Sequence, residues 1–260
     1  MPRLFLLALL IAQVTPQCGG STSSGGGSTI TPSPSTTINN TLAVTVSAGP
    51  NNDYINGLFT SVQVCVPGSS SCQTIGNVLV DTGSVGLRLV SSVVNLSLPQ
   101  QTTSGGAPIV ECAQFQDGFT WGPLRTADVL LGTKKASNVP IQVIGESAFA
   151  NSIPQQCSST GAAENTVADL GANGILGVGQ YNEDCGGSCE RVTNSNPGFY
   201  YACPSSGCTL TTVSSAVQAR NPVSLFSSDS NGIVIQLPSI PAGGTTSVNG
   251  TMYFGISTQS

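Results

Sequence analysis

Apolar and polar residues alternate with period two in several short runs of this chain, the pattern of half-buried strands. Thr41-Leu42-Ala43-Val44-Thr45-Val46-Ser47 is one such run. Asn51-Asn52-Asp53 makes a turn, and Leu58 to Val66 reads as a second strand. A third apolar run, Val78-Leu79-Val80, leads straight into Asp81-Thr82-Gly83-Ser84, and Leu87 to Val90 carries the chain away again. Asp117-Gly118 is a hairpin-turn signal between aromatic-bearing strands in the block from Cys112 to Gly122. Further strands are expected over residues 126–132, 139–145, 209–213, 232–237 and 250–255.

Composition supports the strand reading. Charged residues make up only 7% of the 260, while Gly, Ser, Thr, Val, Asn and Pro abound. Surface helices draw on Glu, Lys and Arg, so the profile is that of short strands joined by turns. The length suits one large or two modest domains. The net charge is −5, and the seven Lys and Arg do not cluster beyond Lys134-Lys135. No nucleic-acid partner is therefore expected. The chain has no histidine, which excludes Ser-His-Asp and Cys-His catalysis and histidine-ligated metal sites. Carboxylate chemistry is what remains for hydrolysis.

The beginning of the chain reads as an export signal over residues 1–17, with Arg3 ahead of a short apolar core from Leu4 to Ala12. That core falls well short of a membrane span. Cys18 opens a Ser/Thr/Gly/Pro-rich linker over 18–38 that cannot build a core. Bacterial lipoproteins share this arrangement, so lipidation of Cys18 and simple secretion are both open. Gln17 stands where a small residue would favour lipidation. A lipid anchor at Cys18 is the one membrane attachment expected. The expected location is secreted, periplasmic or lipid-anchored at the cell surface.

The remaining eight cysteines suit disulfides in an exported chain. Proximity suggests Cys65 with Cys72, Cys185 with Cys189 and Cys203 with Cys208, leaving Cys112 for Cys157. A competing reading gathers Cys185, Cys189, Cys203 and Cys208 into a four-thiolate zinc knot, which an oxidising compartment disfavours. No metal and no cofactor is expected.

Chemistry concentrates at Asp81. Gly83 allows a tight turn in which backbone N–H groups meet the carboxylate, and Thr82 and Ser84 add local hydroxyls. The run Val-Leu-Val-Asp-Thr-Gly-Ser resembles the active-site loop of pepsin-like aspartic proteases. In that family two such loops hold two aspartates around one water, one acting as general base and the other as general acid. The resemblance implies Asp81 as a catalytic carboxylate supported by Thr82, Gly83 and Ser84, with a peptide or protein substrate. It implies that the hairpin carrying Phe115, Gln116, Asp117, Gly118 and Trp121 is the flap that closes over substrate. The family usually places Tyr-Gly where Phe115-Gln116 stand, so the tyrosine hydroxyl's role is lost or passes elsewhere, Trp121 being one candidate. The run Asp169-Leu170-Gly171-Ala172-Asn173-Gly174-Ile175-Leu176-Gly177 resembles the family element that packs behind the aspartate loop, with Gly174, Ile175, Leu176 and Gly177 at its centre.

The fold class implied is all-β: a disulfide-containing, pepsin-like amino-terminal lobe over 39–182, a Cys-rich loop insertion over 183–208, and the start of an incomplete second lobe over 209–260. No second Asp-Thr-Gly or Asp-Ser-Gly occurs, Asp229-Ser230-Asn231 being the nearest approach. The expectation is a truncated aspartic-peptidase-like protein, with its partner aspartate in missing sequence or in a second copy. The alternatives are a non-catalytic binding protein on the same fold and a surface-adhesion protein.

Overall fold

Among the described residues, β-branched and apolar segments separated by turns form strands, with few helical turns between them. The computed structural model describes residues 40–191 and 196–256. The expected signal, linker and Cys18 lie outside the described residues. The strands in chain order are β1 (Thr41–Ser47), β2 (Gly57–Cys65), β3 (Cys72–Asp81), β4 (Val85–Val90), β5 (Ile109–Gln114), β6 (Gly118–Leu131) and β7 (Lys134–Ile144). They continue as β8 (Ala162–Ala163), β9 (Gly174–Val178), β10 (Tyr200–Ala202), β11 (Thr209–Leu210), β12 (Ile233–Gln236) and β13 (Val248–Phe254). Two single-turn helices, α1 (Gln155–Ser158) and α2 (Val167–Leu170), interrupt them.

Six strands close on themselves. The order β2-β3-β9-β4-β7-β6 returns to β2 through pairing of Gln63, Val64 and Cys65 with Leu130, Val129 and Asp128. The ring is a small barrel filled by aliphatic side chains such as Val62, Val78, Leu87, Val129, Ile141 and Leu176. Residue alternation along each strand sends every second side chain inward.

Two wings extend from the barrel. The first half of β6 carries β5, which carries β10 and then β11. The first half of β2 carries β1, which carries β13 and then β12. β6 therefore serves two sheets in 14 residues, and the strand expected over 126–132 is the second half of one longer strand. The register shift between Ala127 and Val129 lets it bend from hairpin into barrel.

Residues 209–254 do not stand apart from this body. β13 pairs with six residues of β1, and Met252 and Phe254 enter the barrel's own apolar cluster beside Val223 and Phe226. The expected Cys-rich insertion likewise contains β10, whose Tyr200 and Tyr201 are buried.

The disulfides are Cys65–Cys72, Cys112–Cys157, Cys185–Cys189 and Cys203–Cys208. All four thiols of the alternative zinc knot are thus consumed. No described helix is long and apolar enough to cross a membrane.

Candidate active site

Local sequence explains how the Asp81 turn is built. Asn77 adopts φ 52°, a left-handed conformation that asparagine tolerates, just ahead of Val78. Asn173 locks this irregularity from the other side: its backbone N–H donates to Asn77 O and its side chain donates to Gly76 O. The stretch before Asn173 is equally determined. Thr166 caps α2 by accepting from the Asp169 N–H, and Gly171 ends the helix at φ 71°.

β9 then enters between β3 and β4. It runs parallel to β3, with Val78 to Asp81 opposite Gly174 to Gly177, and antiparallel to β4, with Gly86 opposite Gly177. Asp81, Gly177 and Gly86 thus form one row across three strands. A Cβ on Gly177 would sit 2.6 Å from Val85 N, so only glycine fits there. The Gly179 N–H donates to Ser84 O, which ties the end of β9 to the turn.

The carboxylate itself is half-buried, with Thr82 and Gly83 exposed beside it. Its Oδ1 accepts from the Gly83 N–H at 2.8 Å. The Ser84 Oγ is buried without a hydrogen-bond partner. Alternation along β3 puts Val78 and Val80 into the barrel and Leu79 into a second apolar cluster with Ile175 and Val90. Asp81 shares the Leu79 face.

The hairpin of β5 and β6 lies over this same face. Its tip closes with the Phe115 N–H donating to Gly118 O at 2.8 Å, and Gln116 and Asp117 are exposed. Phe115 packs against the Leu79, Ile175 and Val90 cluster. Gly118 is pressed against β8, where a Cβ would meet Ala162 O at 2.4 Å. Trp121 belongs to the hairpin's rear layer: it is buried, its Nε1–H donates to Phe149 O, and its ring meets Tyr201 edge-on. The only side-chain donor of Trp121 is thus engaged behind the hairpin.

One set of residues near the turn was not legible from motifs. Arg88, two rows from Asp81's and opposite Ile175 and Gln142, is buried with the carboxylates of Glu111 and Asp184. Its Nη2–H groups donate to Glu111 Oε1 at 2.5 Å and Asp184 Oδ2 at 3.0 Å, and Nη1–H donates to Val85 O at 2.5 Å. Tyr200 bonds Asp184 Oδ1 through its hydroxyl, which also accepts from the Ala219 N–H. Burial pushes the Asp184 carboxyl well up, reinforced by the adjacent Glu111 carboxylate and only partly offset by Arg88. Burial alone would lower the Arg88 pKa, but the facing Glu111 and Asp184 carboxylates raise it on balance. Burial and the same two acids push the Tyr200 phenol well up. The shift favours the protonated form of Asp184 beside the Arg88 cation. Its sequence signal was a lone arginine between Leu87 and Leu89 and a lone glutamate between Val110 and Cys112. A charge inside an apolar run demands a buried partner.

Asp229, the nearest approach to a second aspartate loop, is held by Lys134. Among the described residues, no group of three or more Cys, Asp or Glu is placed to hold a metal ion.

A family model described as "Protein of unknown function (DUF3443)" matches residues 36–260. Comparison with curated proteins gave no match. Among solved structures, an aspartic proteinase from Irpex lacteus is similar at 18% identity and a TM-score of 0.44, over 85% of this chain and 48% of that one. The chain thus spans about half the length of that structure.

Proposed function

The chain belongs to the DUF3443 family of proteins of unknown function, and from its own residues we propose that it is an exported, aspartic-peptidase-like protein contributing one carboxylate of a two-carboxylate, water-activating site. The observation that carries this reading is the row Asp81, Gly177, Gly86: a half-exposed carboxylate at a glycine-floored turn, faced by a hairpin. Asp81 is the catalytic carboxylate in this reading, and Thr82, Gly83 and Ser84 hold it. Phe115 to Gly118 form the lid. The Gly174–Gly177 segment supports the turn from its flank.

Hydrolysis needs a second carboxylate close enough to share a proton with Asp81. One acid draws a proton from water as the water attacks the peptide carbonyl, and the other donates a proton to the carbonyl oxygen. Neither Glu111 nor Asp184 serves as that partner, because both are buried and committed to Arg88. The partner comes from further sequence or from a second copy of this chain. The substrate is a peptide or protein. Export fits the four disulfides, which form and persist in oxidising compartments.

A second reading, a non-catalytic peptide-binding protein, is favoured by Phe115, which fills an apolar cluster where a hydroxyl would serve catalysis. Cleavage of unstructured peptides at acid pH, with and without a pepstatin-type inhibitor, separates the two. Loss of cleavage in Asp81→Asn supports the peptidase. Cleavage that survives the substitution rejects it, and peptide binding without cleavage by a protein that holds both carboxylates selects the second reading.

A further inference from the structure

Arg88 touches three separately encoded parts of the molecule at once. Val85 O belongs to the end of the Asp81 turn, Glu111 to the stem of the lid hairpin, and Asp184 to the segment that leads into the Cys185–Cys189 loop. At the hairpin's tip, the Phe115 ring lies over the guanidinium with its centroid 6.0 Å from Cζ. Asp184 is in turn fixed by Tyr200 of β10, and its N–H donates to Ala219 O, the residue whose Cβ would meet any side chain placed at Gly86.

We propose that Arg88 is a positioning residue that couples the hairpin over the site to the Asp81 turn, so that displacement of either is felt by the other. The proposal rests on the peptidase-like reading only for its consequence in catalysis; the mechanical coupling stands on the contacts alone.

Geometry supports a specific role for arginine. Its planar fork reaches the Val85 carbonyl and two carboxylates in fixed directions, which a lysine ammonium on the same stem cannot do together. The groups facing it are Glu111 from β5, Asp184 from the segment that leads into the disulfide loop and Tyr200 from β10, with the Glu183–Arg220 pair on the loop residues that flank Asp184 and Ala219. Burial removes the water that would otherwise screen these contacts, so each is directional and strong. Arg88 Nε and Glu111 Oε2 have no hydrogen-bond partner, so the contacts that hold the guanidinium run through Nη1 and Nη2.

The test is backbone hydrogen exchange on the whole protein, comparing wild type with Arg88→Lys, which keeps the charge and the charge balance. Exchange at both the turn (83–86) and the hairpin tip (115–118) is expected to rise about tenfold or more, the loss of one charge-assisted hydrogen bond, with β2 and β7 unchanged. Exchange that rises at only one of the two sites, or uniformly across the barrel, overturns the coupling. Should Arg88→Lys not fold, Glu111→Gln serves instead, since it alters the hairpin stem without touching the turn. Faster exchange at 83–86 in that variant supports the proposal, and an unchanged turn overturns it. Peptide cleavage measured alongside keeps the two ideas apart. Exchange behaving as expected in a protein that holds both carboxylates and still cleaves nothing leaves the coupling standing and removes the peptidase reading. In an active protein, Arg88→Lys should lower kcat more than it raises KM, and should leave the pH optimum in place.

Discussion

Asp81 ends β3 directly beside Gly177 of β9, in parallel register. Gly177 faces Gly86 of β4 on its other side, so the strand that supports the carboxylate carries no side chain where the turn folds over it. The Asp81 turn is therefore shaped by backbone packing from a segment far along the chain.

Gly177→Ala should consequently destabilise the protein by about 1–3 kcal/mol, because the added methyl meets the Val85 and Ser84 backbone, which cannot swing aside. Urea unfolding measures the loss. An unchanged midpoint would show that the turn is not closed on β9.

Asp81→Asn should cost little stability, about 1 kcal/mol or less, since the carboxylate is half-exposed and accepts one local bond from Gly83. Thermal unfolding and peptide cleavage are measured together. Abolished cleavage with a retained Tm separates a chemical from a structural role.

Asp184 and Asp128 should give opposite pH dependences. The Asp184 carboxyl is raised in the folded protein, so its contribution is fully present below the unfolded value of roughly 4 and is lost as pH rises through the folded value. Relative to wild type, Asp184→Asn should look worst in acid and improve towards neutrality. Burial works against ionisation of Asp128, yet the Lys135 ion pair and the Asn138 and Gly68 N–H groups lower it on balance. Its contribution is present above roughly pH 4 and lost as pH falls through the folded value. Asp128→Asn should therefore destabilise at neutral pH and become silent in strong acid. Denaturant unfolding across a pH series checks both, and parallel curves for the two variants would contradict the assignment.

Removing Cys112–Cys157, which spans 45 residues, should cost about 4 kcal/mol in chain entropy. Removing Cys185–Cys189, which spans 4, should cost about 2 kcal/mol by the same relation. Paired Cys→Ala variants compared by urea unfolding give the difference. Equal losses would point to native-state packing, not loop closure, as the dominant effect.

Much of the site is legible in the sequence because its determinants are local. Asp-Thr-Gly-Ser after an apolar strand, Asp117-Gly118 at a hairpin and the Gly174–Gly177 run each announce a conformation through residues next to one another. The short disulfides follow from the same proximity, and they leave Cys112 for Cys157. The layer that the Trp121 ring enters is not legible in the sequence, because a position near the turn of a hairpin does not fix it.

What sequence alone determined, then, is the strand-rich class and the turn that follows the apolar strand, both set by steric and hydrogen-bonding preferences within a few residues, while closeness in the chain suggested the three short cysteine pairs. Tertiary structure alone decided that β9 slots between β3 and β4, that residues 209–254 extend the first sheet, and that Arg88 meets Glu111, Asp184 and Tyr200. Those outcomes depend on register between strands widely separated in the chain. Burial of each strand's apolar face, and for Arg88 the cost of burying an unpaired charge, selects that register, and no single segment carries that energy.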